Sequence, residues 1–182
     1  MNLLEYKNIA LQRLNKTIAD NTNESMRYSC MGIIEETGEI IAELRKPLFK
    51  GNFHEKALNI NNIKSELGDL IWYIALMCKN YNVNIEELQN FEITEKNVQL
   101  PRREGIIRTA IKMGQATGQI VGECIEIYNT NKSNEELTKK MREQYKNINE
   151  LSSILGIGID EILEENVRKI NRRYNEKGDI NR

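Results

Sequence analysis

The sequence contains little that would break a helix or cross-link a fold. It has only two prolines, Pro47 and Pro101, and a single histidine, His54. Its three cysteines are an odd number with no CxxC spacing, which argues against both a disulfide framework and a structural zinc site. We therefore expect all three in the core: Cys30, Cys78 and Cys124.

Neither sign of charge is in excess, because 26 basic residues stand against 27 acidic ones. This balance excludes the bulk basic field that would favour nucleic acid as a partner. Charged residues interrupt every apolar run well short of the roughly eighteen residues of a membrane span, and the first residues lack a signal-peptide pattern. A chain of 182 residues fits one domain, or two small ones that share a core. We expect a cytoplasmic protein without a membrane partner.

Apolar residues recur at three- and four-residue spacing through most of the chain, which predicts an all-α protein. Pro47 is expected to stop the second helix, and Pro101 to begin the second half after a linker at 90–100. Ser133 and Glu136 form a predicted capping box. The predicted helices are 3–18, 24–46, 57–81, 85–88, 102–128, one from the capping box to 155, and a last one that ends near 174.

Two acidic groups lie inside apolar segments of the predicted second and third helices. Glu36 and Glu39 are three residues apart and share a helix face, as do Glu66 and Asp69, while Glu35 lies four residues before Glu39. Carboxylates seldom enter a core without a partner, because desolvating an ionised group costs several kcal/mol. An all-oxygen set of this kind selects the hard cations Mg²⁺ or Mn²⁺ over zinc.

Other interpretations of these carboxylates remain open. A solvated helix face would also be rich in glutamate, and a di-iron bundle would need ExxH pairs, whereas His54 lies in the loop after Pro47 and is better explained as a loop or capping residue. Gly38 and Gly68 each precede an acidic residue in mid-helix, where glycine costs about 1 kcal/mol relative to alanine. They predict close helix packing or room for a ligand.

The chain contains a weak internal repeat. The segment 37–43 matches 117–123 at an offset of 80 residues, and 81–88 matches 155–162 at an offset of 74. The shorter second offset fits a shorter loop in the second copy. We therefore divide the chain into one repeat at 1–95, which carries the acidic motif, and a second at 101–182, together one compact unit.

The two copies differ in charge. The alignment pairs the acidic residues of the first copy with a set that is largely not acidic: Gln115, Ala116, Gln119, Lys140 and Glu143. The second copy has instead a basic tail at 166–174, for which the first copy has no equivalent. The prediction is a helical bundle in which two repeats pack as a pseudo-dimer and share one composite site.

The first repeat resembles the MazG-type all-α nucleoside triphosphate pyrophosphohydrolases. Their ExxE and ExxD motifs are matched by Glu36-Thr37-Gly38-Glu39 and Glu66-Leu67-Gly68-Asp69, with 26 residues between them. The loop Lys46-Pro47-Leu48-Phe49-Lys50-Gly51 resembles the basic loop of the family, and the tail residues match its Asn and Lys-Arg-Tyr pattern. This chain departs from the usual single module by dividing motif and tail between two repeats.

The resemblance implies a Mg²⁺-dependent enzyme, with Mn²⁺ as an alternative ion, that hydrolyses a (deoxy)nucleoside triphosphate to its monophosphate and pyrophosphate. The implied metal ligands are Glu36, Glu39, Glu66 and Asp69. The ion they hold is implied to lower the pKa of a bound water that then attacks phosphorus. Glu35 is implied to orient or deprotonate that water. The implied substrate-binding residues are Lys46, Lys50, Trp72, Asn166, Lys169, Arg173 and Tyr174.

Some features stay open at this point. Trp72 and Tyr73 either line a base pocket or pack in the core. The resemblance implies either a homo-oligomer, such as a dimer, or a pseudo-dimeric monomer. The alternative function is a catalytically silent helical module that binds a nucleotide or a protein.

Overall fold

The computed structural model describes residues 1–12, 14, 22–50, 57–91 and 100–178, with side chains as far as residue 173. Within these ranges the secondary structure is helical and contains no strand, which confirms the all-α prediction. The elements are α1 (Leu3–Leu11), α2 (Thr22–Phe49), α3 (Ile60–Asn80), a 3-10 helix (Ile85–Gln89), α4 (Arg102–Thr130), α5 (Glu135–Leu155) and α6 (Ile159–Gly178).

The core is built from two helix pairs that pack on each other. Helix α2 packs along α3, α4 packs along α5, and α2 crosses to α4. The elements that follow each pair contact the opposite pair, since the 3-10 helix packs on α5 and α6 packs on α3. Helix α1 contacts α3, α6 and the 3-10 helix. This reciprocal packing brings α6 against α3, the helix that carries Glu66 and Asp69.

Helix α2 is longer than the sequence indicated. It begins at Thr22 rather than near Glu24 and continues to Phe49, although Pro47 was expected to end it. A proline removes one helical hydrogen bond, and its ring crowds the carbonyl four residues earlier. Pro47 does this only in the last turn, and the Lys50 N–H still donates to the Lys46 carbonyl at 3.0 Å. The helix therefore carries Lys46 in its last turn.

Other helix ends also differ from prediction. Helix α1 ends at Leu11, and Asn59 begins α3 by accepting from the Asn62 N–H at 3.2 Å. The predicted capping box at Ser133 is wrong: α5 begins after Asn134, which makes no side-chain cap. The Asn134 amide instead donates to the carbonyl of Tyr81 at 2.8 Å, which joins the two helix pairs.

The cysteines follow the core prediction only in part. Cys78 and Cys124 are buried, whereas Cys30 is half-buried. No helix in the described part of the chain is long and apolar enough to cross a membrane. The prediction for His54, the 92–99 part of the linker and most of residues 13–21 lie outside the described residues.

Candidate active site

Three of the predicted metal ligands converge where α2 packs on α3. Glu36 and Glu39 come from successive turns of α2, and Glu66 comes from α3. One carboxylate oxygen from each lies within 4.8 Å of the others. The three-residue spacing on α2 and the packing of the two apolar helices are sufficient to bring these groups together.

The electrostatics of this cluster are unfavourable without a counter-charge. The pKa of Glu36 is raised to about 8, chiefly by burial and then by the negative charges of Asp69 and Glu66, with smaller effects of Glu39 and Glu35. Burial also raises the pKa of Glu66, against the opposing effect of the Lys169 ammonium. Like charges at this spacing disfavour ionisation unless a cation is near. A set of carboxylate oxygens suits a hard divalent ion.

Asp69 lies beside this cluster, but its oxygens are directed to α6. One oxygen accepts a hydrogen bond from the Asn166 amide at 2.8 Å, and the other forms an ion pair with Lys169. Lys169 also donates to the Ser65 hydroxyl at 2.7 Å. The last helix of the chain therefore contacts the acidic motif directly, through two of the residues that the sequence singled out.

A buried tyrosine holds Asn166 in place. Tyr6 from α1 is fully buried and donates its hydroxyl proton to the Asn166 side-chain oxygen at 2.7 Å. This bond leaves the amide nitrogen of Asn166 to donate to Asp69. Burial and the nearby Asp69 charge raise the pKa of Tyr6, so it remains a donor at neutral pH.

The two glycines of the acidic motifs have different surroundings. A Cβ added to Gly68 would lie 2.9 Å from the Cβ of Asn166, so glycine permits the close approach of α3 and α6. This confirms the prediction of close packing for Gly68. A Cβ on Gly38 would meet nothing within 4 Å, so helix packing does not account for that glycine.

A shallow groove of about 310 Å³ lies beside Asp69 along α6. It is lined by Lys64, Ser65, Glu165, Asn166, Lys169, Arg172 and Arg173. Lys64 is paired with Glu161 and Glu165, each at 2.7 Å, and Arg173 is exposed. The side chain of Tyr174 lies outside the described residues.

The other predicted basic residues lie at the far end of α2. Lys46 is exposed in the last turn of α2, seven residues beyond Glu39 and on the same helical face. Lys50 is also exposed and comes directly after the end of the helix. The structure brings neither of them into contact with the carboxylates. Glu35 is also exposed, and it acts on the cluster through its charge, as the smallest contribution to the raised pKa of Glu36.

Trp72 packs away from the acids, whereas Tyr73 borders them. The indole of Trp72 is half-buried and donates to the Ala10 carbonyl at 3.3 Å. Tyr73 stacks over Gly32, where an added Cβ would lie 2.1 Å from the ring, and its hydroxyl donates to the Tyr28 hydroxyl at 3.2 Å. Burial, this bond and the charges of Glu36 and Glu35 raise the pKa of Tyr73.

Three residues near the site were absent from the predicted set. Glu43 raises the pKa of Glu66, and its position four residues after Glu39 was a signal in the sequence. Ser65 binds Lys169, and Tyr6 binds Asn166. For Ser65 and Tyr6 no motif pointed to the site, because both act through contacts between distant parts of the chain.

Comparison with known proteins gives one family match. Residues 22–99 match the model of the MazG nucleotide pyrophosphohydrolase domain, a segment that contains all five acidic residues of the predicted site. The "Gene 37 protein" of Mycobacterium phage L5 is 32% identical over 60 residues, which is 33% of this chain and 53% of that protein. The chain thus spans about half the length of this curated relative. The search of solved structures found no significant match. The segment 22–99, rather than the chain as a whole, thus matches the MazG nucleotide pyrophosphohydrolase domain family.

Proposed function

We propose that this protein hydrolyses (deoxy)nucleoside triphosphates to the monophosphate and pyrophosphate in a reaction that depends on Mg²⁺, or on Mn²⁺ in its place. The observation that carries the proposal is the convergence of Glu36, Glu39 and Glu66 within the segment that matches the family. Gly68 permits the close approach of α6, whose Asn166 and Lys169 hold Asp69 beside them. A fully solvated glutamate face would not leave Glu36 and Glu66 half-buried between two packed helices.

The donor set fits a divalent ion. Glu36, Glu39 and Glu66 would hold it, with Asp69 as the fourth ligand that the motif implies. When bound, the ion supplies positive charge for the triphosphate and acidifies a water molecule. Glu35, exposed at the rim, is the candidate to orient that water or to accept its proton.

The basic residues of α6 supply the other side of the site. Lys169 and Arg173 line the groove beside Asp69, where they would bind phosphate oxygens and stabilise negative charge. Asn166 positions Asp69. Lys46 and Lys50 form a second, exposed set of candidates for phosphate binding. Tyr73 is better placed than Trp72 to contact a bound nucleotide, because it lies close enough to Glu35 and Glu36 for their charges to raise its pKa.

We further propose that the two repeats form a pseudo-dimer. Thr37 and Thr117, which the sequence repeat aligns, are hydrogen-bonded to each other at 2.9 Å. A residue that contacts its own equivalent lies at a twofold axis. The reciprocal packing of the 3-10 helix on α5 and of α6 on α3 supports the same relation. One polypeptide would then supply both the acidic and the basic side of a single site.

Pyrophosphate release tests the proposed function. We expect release from at least one member of a panel of ribo- and deoxyribonucleoside triphosphates with Mg²⁺, and none with EDTA. The variant Glu39→Ala should lose turnover while its circular dichroism spectrum stays helical. If wild-type protein released pyrophosphate from no triphosphate, the chain would instead be a helical binding module.

A further inference from the structure

Asp69 is held by two groups of very different character. Asn166 is 3% exposed, and Tyr6 fixes its oxygen, so its amide cannot leave without disrupting buried hydrogen bonds. Lys169 holds the second oxygen, and its side chain is 19% exposed. A lysine ammonium is a point charge at the end of four flexible methylene groups. Lys169 can therefore turn from Asp69 to another anion that takes its place in the pairing, whereas the amide of Asn166 is fixed.

We propose that Lys169 is exchanged between Asp69 and the phosphates of the substrate, so that triphosphate binding frees an oxygen of Asp69 for the divalent ion. The inference rests on the proposed function. Lys169 lines the groove in which Arg172 and Arg173 lie, so the same side chain reaches both partners. Its bond to the Ser65 hydroxyl holds the ammonium at the boundary between them.

The exchange follows from competition for one carboxylate oxygen. An ammonium bound to Asp69 and a cation at the cluster seek the same negative charge, so each weakens the binding of the other. A triphosphate offers Lys169 a more highly charged partner and removes this competitor. Metal ion and nucleotide then bind with positive coupling, and by linkage the coupling acts equally in both directions.

Lys64 offers a matched control within the same groove. It lies one residue from Ser65, but Glu161 and Glu165 hold its ammonium, each at 2.7 Å. Removal of Lys64 changes the net charge as much as removal of Lys169 does. Of these two lysines Lys169 is the one bound to Asp69, so the difference between the two variants reports that specific contact rather than the general electrostatic field.

The test is a titration with Mn²⁺ in the absence of nucleotide, read by calorimetry, on intact chains whose folding is checked by thermal melting. For Lys169→Met we expect Mn²⁺ to bind about tenfold more tightly, the effect of a close charge pair at a partly exposed site. Lys64→Met should change the affinity less than about threefold, as expected for a screened charge. Lys169→Gln is the second variant if the methionine substitution impairs folding.

A double-mutant cycle shows whether Lys169 acts through Asp69. In an Asp69→Asn background, Lys169→Met should leave Mn²⁺ affinity within about twofold, because the contact is already lost. In turnover, Lys169→Met should lower the Mg²⁺ concentration for half-maximal rate and raise KM for the triphosphate. A structural defect would instead raise both the half-maximal Mg²⁺ concentration and KM.

Unchanged or weaker Mn²⁺ binding by Lys169→Met would overturn the exchange, as would an equal gain in the Asp69→Asn background. Failure of the proposed function would appear separately, as the absence of pyrophosphate release by wild-type protein even when Mn²⁺ binding follows the expected pattern.

Discussion

The charge on Glu36 should destabilise the folded chain when no divalent ion is present. The pKa of this side chain is raised to about 8 from an ordinary value of 4.5. Between these two pH values the folded protein holds a proton that the unfolded chain has released, so stability must fall as pH rises. Replacing Glu36 by the uncharged, similarly shaped glutamine removes this cost.

The size of the effect follows from the pKa difference. Without screening by solvent, this pKa difference would lower the free energy of unfolding by about 5 kcal/mol, at about 1.4 kcal/mol per pH unit. Glu36 is half-exposed, so solvent reduces this to about 1–2 kcal/mol, or about 2–8 °C in Tm for a chain of this length. The pH range concerned lies between about 4.5 and 8.

Thermal melting from pH 5 to 9 in EDTA measures this cost. Wild-type Tm should fall as pH rises towards 8, and Glu36→Gln should show a flatter profile and a higher Tm at pH 8. Mg²⁺ should raise the Tm of wild-type protein at pH 8 and leave that of Glu36→Gln unchanged, because a ligand stabilises only the fold that binds it.

The exposed neighbour Glu35 provides the control: Glu35→Gln should shift the free energy of unfolding by less than about 0.5 kcal/mol. A Glu36→Gln protein with the wild-type pH slope, or with a lower Tm than wild type at pH 8 in EDTA, would show that the charge on Glu36 does not destabilise the fold.

Two further predictions concern the contact of α3 with α6. Gly68→Ala places a Cβ 2.9 Å from Asn166, so it should cost about 1–3 kcal/mol in urea unfolding, whereas Gly38→Ala, which meets nothing within 4 Å, should gain about 1 kcal/mol from helix propensity. A Gly68→Ala protein as stable as Gly38→Ala would contradict the close packing. Tyr6→Phe leaves the buried oxygen of Asn166 without its donor and should cost about 1–3 kcal/mol in the same measurement. An unchanged urea midpoint would show that Tyr6 does not hold Asn166.

The sequence was sufficient to predict the helices, because apolar periodicity is a local signal. It located the ends of the helices less well, since tertiary contacts decide them. Pro47 stands within α2 because a helix end tolerates the loss of one bond, and Asn134 joins Tyr81 instead of capping α5. Cys30 is only half-buried although it was expected in the core, because it lies near the edge of the α2 and α4 contact.

The candidate site was predictable where its residues share a helix face. Glu36 with Glu39, and Glu66 with Asp69, needed only their spacing and two packed helices. The contact between Lys169 and Asp69 joins residues one hundred positions apart, and the internal repeat, with its uneven charge, suggested it. Tyr6 could not be inferred, because a tyrosine in an amphipathic helix usually packs without a polar role.

We propose that the acidic cluster of the first repeat is catalytic and that its counterpart in the second repeat is not. Asp69 and Glu143 are aligned by the repeat, and Glu143 is exposed on α5. The most direct test compares Asp69→Ala and Glu143→Ala in one assay of Mg²⁺-dependent pyrophosphate release, with Asp69→Asn as the variant that best preserves the contact with Asn166. We expect both Asp69 variants to lose turnover and Glu143→Ala to retain it. An active Asp69→Ala enzyme would show that the acidic cluster of the first repeat is not the catalytic site.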